Sequence, residues 1–173
     1  MAKILQVCNS DFYLNKFLSP LVRFLNSQGH QVDCICDGTQ VEKNLLGSNV
    51  GVYDFRFPKR KSGIEFLHRI FQMRKILREK KYDCVNSHNR NASIITRIAA
   101  WLENVPINLY TAHGFYFHDD QSFLSRSLTI FLEAALAPLT DFTLSQSFED
   151  VEFVVRKGIV NRNVIEHIGN GID

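Results

Sequence analysis

The stretch Thr111-Ala112-His113-Gly114-Phe115-Tyr116-Phe117-His118 sets a histidine and a glycine where an apolar run gives way to polar residues. Histidine titrates near neutrality and carries two ring nitrogens, so at such a place it can move a proton or grip a hydroxyl. Asn86-Ser87-His88-Asn89, Asn9-Ser10-Asp11-Phe12 and Gln146-Ser147 occupy equivalent places after other apolar runs. Together they hold polar side chains, aromatics and three histidines, a set suited to binding hydroxyls and stacking on a sugar ring. Each also has a structural reading. His113 can cap a strand end beside a left-handed turn at Gly114, His88 and Asp11 can cap helices, and Phe12 can form a hydrophobic staple.

Other chemistries are poorly supplied. The chain contains neither Gly-x-Gly-x-x-Gly nor a Gly-Lys-Ser or Gly-Lys-Thr loop, so a dinucleotide pyrophosphate has no usual cradle. Cys8, Cys34, Cys36 and Cys84 read as buried strand thiols, since Cys34 and Cys36 supply at most two ligands and no second pair lies near. His113 and His118 are five apart and make a poor metal pair, so neither a metal nor a cofactor is expected. A net charge of +2 argues against a nucleic-acid binder. Lys3 is followed by an apolar run too short for a signal peptide, and no run approaches the ~20 residues needed to cross a bilayer. A cytoplasmic protein is therefore expected.

The elements that must hold these residues alternate short apolar runs with longer amphipathic ones, the pattern of a parallel sheet with helices on both faces. Strands are predicted at Lys3–Cys8, Gln31–Cys36, Val50–Phe55, Asp83–Ser87, Ile107–Thr111, Asp141–Ser145 and Val164–Ile168. Helices are predicted at Tyr13–Gln28, Val41–Leu46, Gly63–Lys81, Ala92–Glu103, Ser122–Ala137 and Phe148–Lys157. This is a Rossmann-like, doubly wound α/β sheet of seven strands. In such sheets ligands sit outside the carboxyl ends of the strands, which is where the candidates above fall. Phe17, Leu21, Phe24 and Leu25 share one stripe of the first helix. The helix after His113 is strongly apolar through Phe123, Leu124, Leu128, Ile130, Phe131, Leu132 and Leu136, which core packing would mostly explain.

Charge is concentrated in one block. From Arg56 to Lys81 ten Lys or Arg stand against Glu65 and Glu79, a balance of +8 that leaves −6 elsewhere. On a helical wheel Phe66, Ile70, Met73 and Leu77 form the stripe that should meet the sheet, while Ile64 and Phe71 project opposite. Phe71 with Lys59, Arg60, Lys61, Lys75 and Arg78 is thus a candidate surface for anionic lipid headgroups at the inner face of a membrane, and a solvated helix is the rival reading.

The His113 stretch and the closing Gly169-Asn170-Gly171-Ile172-Asp173 resemble the amino-terminal half of a family-four-like GT-B glycosyltransferase, of the bacterial surface-polysaccharide type. The resemblance implies residues 1–168 as the acceptor-side domain of a GT-B fold, with 169–173 starting the passage to a donor-binding domain. It implies a retaining transfer from a nucleotide sugar to a saccharide or polyprenyl-linked acceptor, by a chain inactive without its second lobe. His113 is then the catalytic candidate facing the cleft. Asn9, Asp11, Phe12, His88, Asn89, Gly114, Phe115 and Gln146 are candidates for binding acceptor or substrate, and the apolar helix after His113 for an acceptor groove. The first loop, Asn9-Ser10-Asp11-Phe12, departs from the paired glycines of many relatives, which counts against donor-phosphate contact there. Two rivals stay open: a non-catalytic subunit that recruits a catalytic partner to the membrane, and a free-standing small-molecule enzyme.

Overall fold

A computed structural model describes residues 1–47, 50–58, 63–115 and 123–169. Seven strands, β1 (Lys3–Val7), β2 (Gln31–Cys36), β3 (Gly51–Asp54), β4 (Cys84–His88), β5 (Ile107–Ala112), β6 (Phe142–Ser145) and β7 (Ile165–His167), form one sheet in the order β3-β2-β1-β4-β5-β6-β7. Every adjacent pair is parallel. The order reverses between β1 and β4, so the crevice beyond their carboxyl ends is where such a sheet accepts a ligand.

The predicted first helix is three pieces: α1 (Asp11–Tyr13), a π-helical turn (Leu14–Leu18) and α2 (Ser19–Ser27). Leu14, Leu18 and Val22 turn inward onto Cys8, Val32, Cys34 and Cys36. Of the stripe visible in the sequence, Phe17, Leu21 and Phe24 lie in solvent while Leu25 packs against this core. The predicted Val41–Leu46 helix shrinks to a 3-10 turn at Lys43–Leu45. On the opposite face α3 (Gly63–Lys80) and α4 (Arg90–Leu102) bury Ile70, Met73, Leu77, Ile95 and Ala99 against Leu5, Val7 and Val85. Phe66 packs at the edge of that core, and Phe71 is 62% exposed, as the wheel predicts.

Helix α5 (Phe123–Leu136) meets the expectation of core packing only in part, with Leu136 buried and Ile130 packed on the core. Thr129 and Glu133 point inward while Leu124 and Phe131 are 80% and 69% exposed. The cause is Arg97 on α4, buried beneath α5, whose guanidinium bonds Glu133 Oε2 at 2.8 Å and Thr140 Oγ1 at 2.7 Å. A buried cation left without an anion is costly, so Glu133 and Thr140 face Arg97 from within. Helix α6 (Phe148–Arg156) covers β5–β7 through Val151 and Val154. The cysteines are free and lie in or beside the core; burial pushes the Cys36 thiol up to about 12 and the Cys84 thiol up to about 11.

Candidate functional site

Three adjacent strands bring His88 and His113 together. Register pairs Val7 with Ser87 and His88 with Thr111, so β1, β4 and β5 end side by side. Side chains alternate along a strand, which turns Gln6, His88 and Thr111 to the face that α1 and α2 cover. His88 Nε2 lies 2.9 Å from Gln6 Oε1, and its Nδ1 lies 2.9 Å from Nε2 of His113. The two imidazoles are stacked, with centroids 5.2 Å apart, and Tyr13 meets His113 edge-on at 5.0 Å. His88 is 1% exposed. Burial holds its pKa well below the ordinary histidine value, and the neighbouring His113 adds to that. His113 is half-buried; burial lowers its pKa as well, while a side-chain hydrogen bond with Gln146 opposes the shift.

The loops around this pair are tied to one another. The Asn9 backbone N–H donates to Asn89 Oδ1 at 3.2 Å, joining the ends of β1 and β4, and Asn89 adopts a positive φ of 63°. The Asp11 carboxylate accepts from the backbone N–H groups of Phe12 (2.8 Å) and Gln40 (3.0 Å), and it leaves no room for a side chain at position 38. Ser10, not Asp11, caps α1 by accepting from the Tyr13 N–H. Phe12 is exposed, edge-on to Phe17 at 6.4 Å.

Several expectations change. His88 neither caps α4 nor faces a ligand; it stands behind His113 in the protein interior. Asp11 is engaged between two loops, so it is a strut rather than a free acceptor contact. Phe115 is buried with Tyr110, and its N–H donates to Asp150 Oδ2 at 2.8 Å, so its ring is closed to a sugar. Gly114 at φ 111° makes that turn, a conformation that β-carbon-bearing residues rarely adopt. Gln146 lies beside His113. His118, Lys59, Arg60 and Lys61 lie outside the described residues, as do 170–173.

Sequence reasoning passed over Gln6 and Tyr13. A glutamine inside an otherwise apolar strand was the available signal, because a polar side chain buried there requires a partner. No group of three or more potential metal-ligating side chains clusters among the described residues.

The candidate lipid-facing residues divide. Phe71 is exposed and Lys75 makes only a loose contact of 3.9 Å to Glu79, but Arg78 and Arg74 both bind Glu103, at 2.9 and 2.7 Å. Arg78 is thus partly neutralised by Glu103, whose own pKa those arginines lower. Ile64 and Leu67 extend the exposed apolar stripe. Beside it a cavity of about 440 Å³ is lined by Arg56, Arg69 and Lys75 together with Asp54 and Gln72. No helix among the described residues is long and apolar enough to cross a membrane.

An open parallel sheet with polar groups gathered beyond its switch point defines a Rossmann-like lobe. The family described as "Glycosyl transferase 4-like" matches residues 3–146, and the chain belongs to that family. The Escherichia coli UDP-Gal:alpha-D-GlcNAc-diphosphoundecaprenol alpha-1,3-galactosyltransferase is 31% identical over 110 residues, which cover 64% of this chain and 28% of that protein. Among solved structures, a glycosyltransferase from Rickettsia africae superposes with a TM-score of 0.75 at 17% identity, over 99% of this chain and 44% of the other. Anabaena Alr3699/HepE, solved in complex with UDP and glucose, gives 0.73 at 15% identity, over the whole of this chain and 45% of the other. The chain thus spans between about a quarter and a half of the proteins it matches.

Proposed function

We propose that residues 1–168 are the acceptor-side lobe of a retaining glycosyltransferase. In this reading it moves a sugar from a nucleotide-sugar donor to a lipid-linked saccharide in glycan or polysaccharide synthesis, and 169–173 begin the passage to a donor-binding lobe. The observation that supports it most is His113, half-buried just beyond the carboxyl end of β5 and backed by His88, in a chain of this family. The name of the E. coli relative specifies a UDP sugar and a diphosphoundecaprenol-linked acceptor, which is the source of the substrate class proposed.

Within this reading each residue has a task. His113 bonds a sugar hydroxyl at the reacting centre and orients it. Asn9, Asn89 and exposed Phe12 contact the acceptor saccharide, with Gln146 beside His113. The outward Leu124, Leu128 and Phe131 of α5 offer apolar surface to the lipid portion, and Phe71, Lys75 and the Arg56/Arg69 cavity rest on anionic headgroups at the cytoplasmic face. The donor's diphosphate is held outside this chain, no cofactor is used, and the chain alone turns nothing over. Calorimetry with the 173-residue chain tests this division of labour. A short-chain diphosphoprenyl saccharide should bind, and His113→Ala should weaken it, while nucleotide sugars bind far more weakly. Micromolar nucleotide-sugar binding without acceptor binding would overturn it.

A further inference from the structure

Gln6 is the fourth of the five residues of β1, 2% exposed, and its side-chain oxygen faces His88 Nε2 at 2.9 Å. An amide oxygen accepts and cannot donate, so His88 Nε2 carries the proton of that contact. His88 has no solvent to stabilise a second proton, and as a neutral ring its Nδ1 is a bare lone pair. That lone pair faces His113 Nε2 at 2.9 Å. Two lone pairs at this distance repel, so His113 Nε2 carries a proton too. A neutral His113 then keeps its remaining lone pair on Nδ1, away from His88, and the Gln146 side chain, which also hydrogen-bonds this ring, must offer its amide N–H wherever it meets that nitrogen. Had the Gln6 amide nitrogen faced His88, every proton in the chain would move to the other end of its contact, and His113 would present an N–H.

We infer that Gln6 is a positioning residue that sets the direction of a Gln6–His88–His113 hydrogen-bond chain, so that His113 meets its ligand through an unprotonated Nδ1. An acceptor of this kind recognises a hydroxyl that donates, such as a sugar hydroxyl, and repels a bare oxyanion. The choice of ligand rests on the function proposed above, but the direction of the chain does not. Tyr13 supports the arrangement by holding the His113 ring edge-on. The buried pair is thus a fixed electrical polarity behind His113, written by one glutamine next to the last residue of β1.

The test is long-range ¹H–¹⁵N correlation of the histidine rings in the 173-residue chain at neutral pH, which separates protonated from unprotonated ring nitrogens. The expected result is a protonated Nε2 and an unprotonated Nδ1 for both His88 and His113. In Gln6→Met, which keeps the volume and removes the acceptor, the single-tautomer signature of His113 should be lost and its two ring shifts should converge. Thr111→Val removes a neighbouring buried hydrogen bond, to Asn86 Oδ1 at 3.0 Å, and should leave the His113 tautomer unchanged. A protonated Nδ1 on His113 in the parent chain would overturn the inference, even if Gln6→Met does not fold. Equal tautomer changes in both variants would reduce Gln6 to a packing residue. Failure to bind any saccharide with the tautomers as expected would instead sink the proposed function and leave the relay standing.

Discussion

Glu133→Ala should be among the most damaging single substitutions in the molecule, although it lies far from His113. Among the described residues it removes the only carboxylate bound to Arg97, a guanidinium 1% exposed beneath α5 and stacked on the Tyr110 ring at 4.5 Å. The 2.7 Å bond to Thr140 Oγ1 survives, but a hydroxyl cannot balance the charge. Stranding a buried ion in this way costs about 3–5 kcal/mol. A domain of this size has roughly 5–15 kcal/mol in total and loses about 2–4 °C of Tm per kcal/mol, so the expected drop is on the order of 6–20 °C. The double variant Arg97→Met with Glu133→Leu removes both charges and fills the space with apolar atoms, and it should recover most of the loss. Urea and thermal unfolding of parent, single and double variants measure this. A single-variant cost below about 1 kcal/mol, or a double variant as unstable as the single, would refute the claim that this ion pair orients α5.

Gly38→Ala should destabilise by about 1–3 kcal/mol, because φ at this position is 129° and a new Cβ would meet the Asp11 carboxylate; denaturant unfolding reads it, and a neutral result would show that the Asp11 strut can move. Stability should fall as pH drops from neutrality toward about 5.5. His88 stays neutral when folded but takes a proton near its ordinary pKa when unfolded, so below that pKa each pH unit favours the unfolded chain by up to ~1.4 kcal/mol. His113, whose folded pKa burial also lowers, adds a smaller fall of the same sign that stops growing once the pH passes below its folded pKa. A flat Tm across this window, or a slope that His88→Phe does not reduce, would contradict the neutral buried pair. Vesicles containing anionic lipid should sediment the chain in a salt-sensitive way that Phe71→Ser with Lys75→Glu weakens, and equal sedimentation with neutral vesicles would sink the membrane proposal.

The sheet was legible because fully buried parallel strands read as apolar runs such as Ile4–Cys8 and Val32–Cys36, and their ends located the loops that matter. Helix faces were legible only where apolar spacing and the core agreed, as at Ile70, Met73 and Leu77. They misled where apolar spacing alone does not decide the orientation. In α5 the buried Arg97 pulls Glu133 inward. In the first helix two apolar stripes compete, and the one through Leu14, Leu18 and Val22 reaches the sheet with Leu25, while Phe17, Leu21 and Phe24 stay outside. At the site, strand ends identified His88 and His113 but not their relation. Only the register of β4 on β5 shows that one stands behind the other. Phe115 was misread because a sequence cannot show which way the chain leaves the Gly114 turn.

The central claim is that the crevice around His113 receives an acceptor saccharide. The most direct measurement is an amide chemical-shift titration of the ¹⁵N-labelled chain with a short-chain diphosphoprenyl saccharide, run in parallel on His113→Ala. The account predicts saturable shifts centred on Asn9, Phe12, Asn89, Gly114 and Gln146, extending to the Leu124 and Leu128 turns of α5, and strongly weakened in the variant. Shifts confined to α3, or an unchanged titration in His113→Ala, would contradict it.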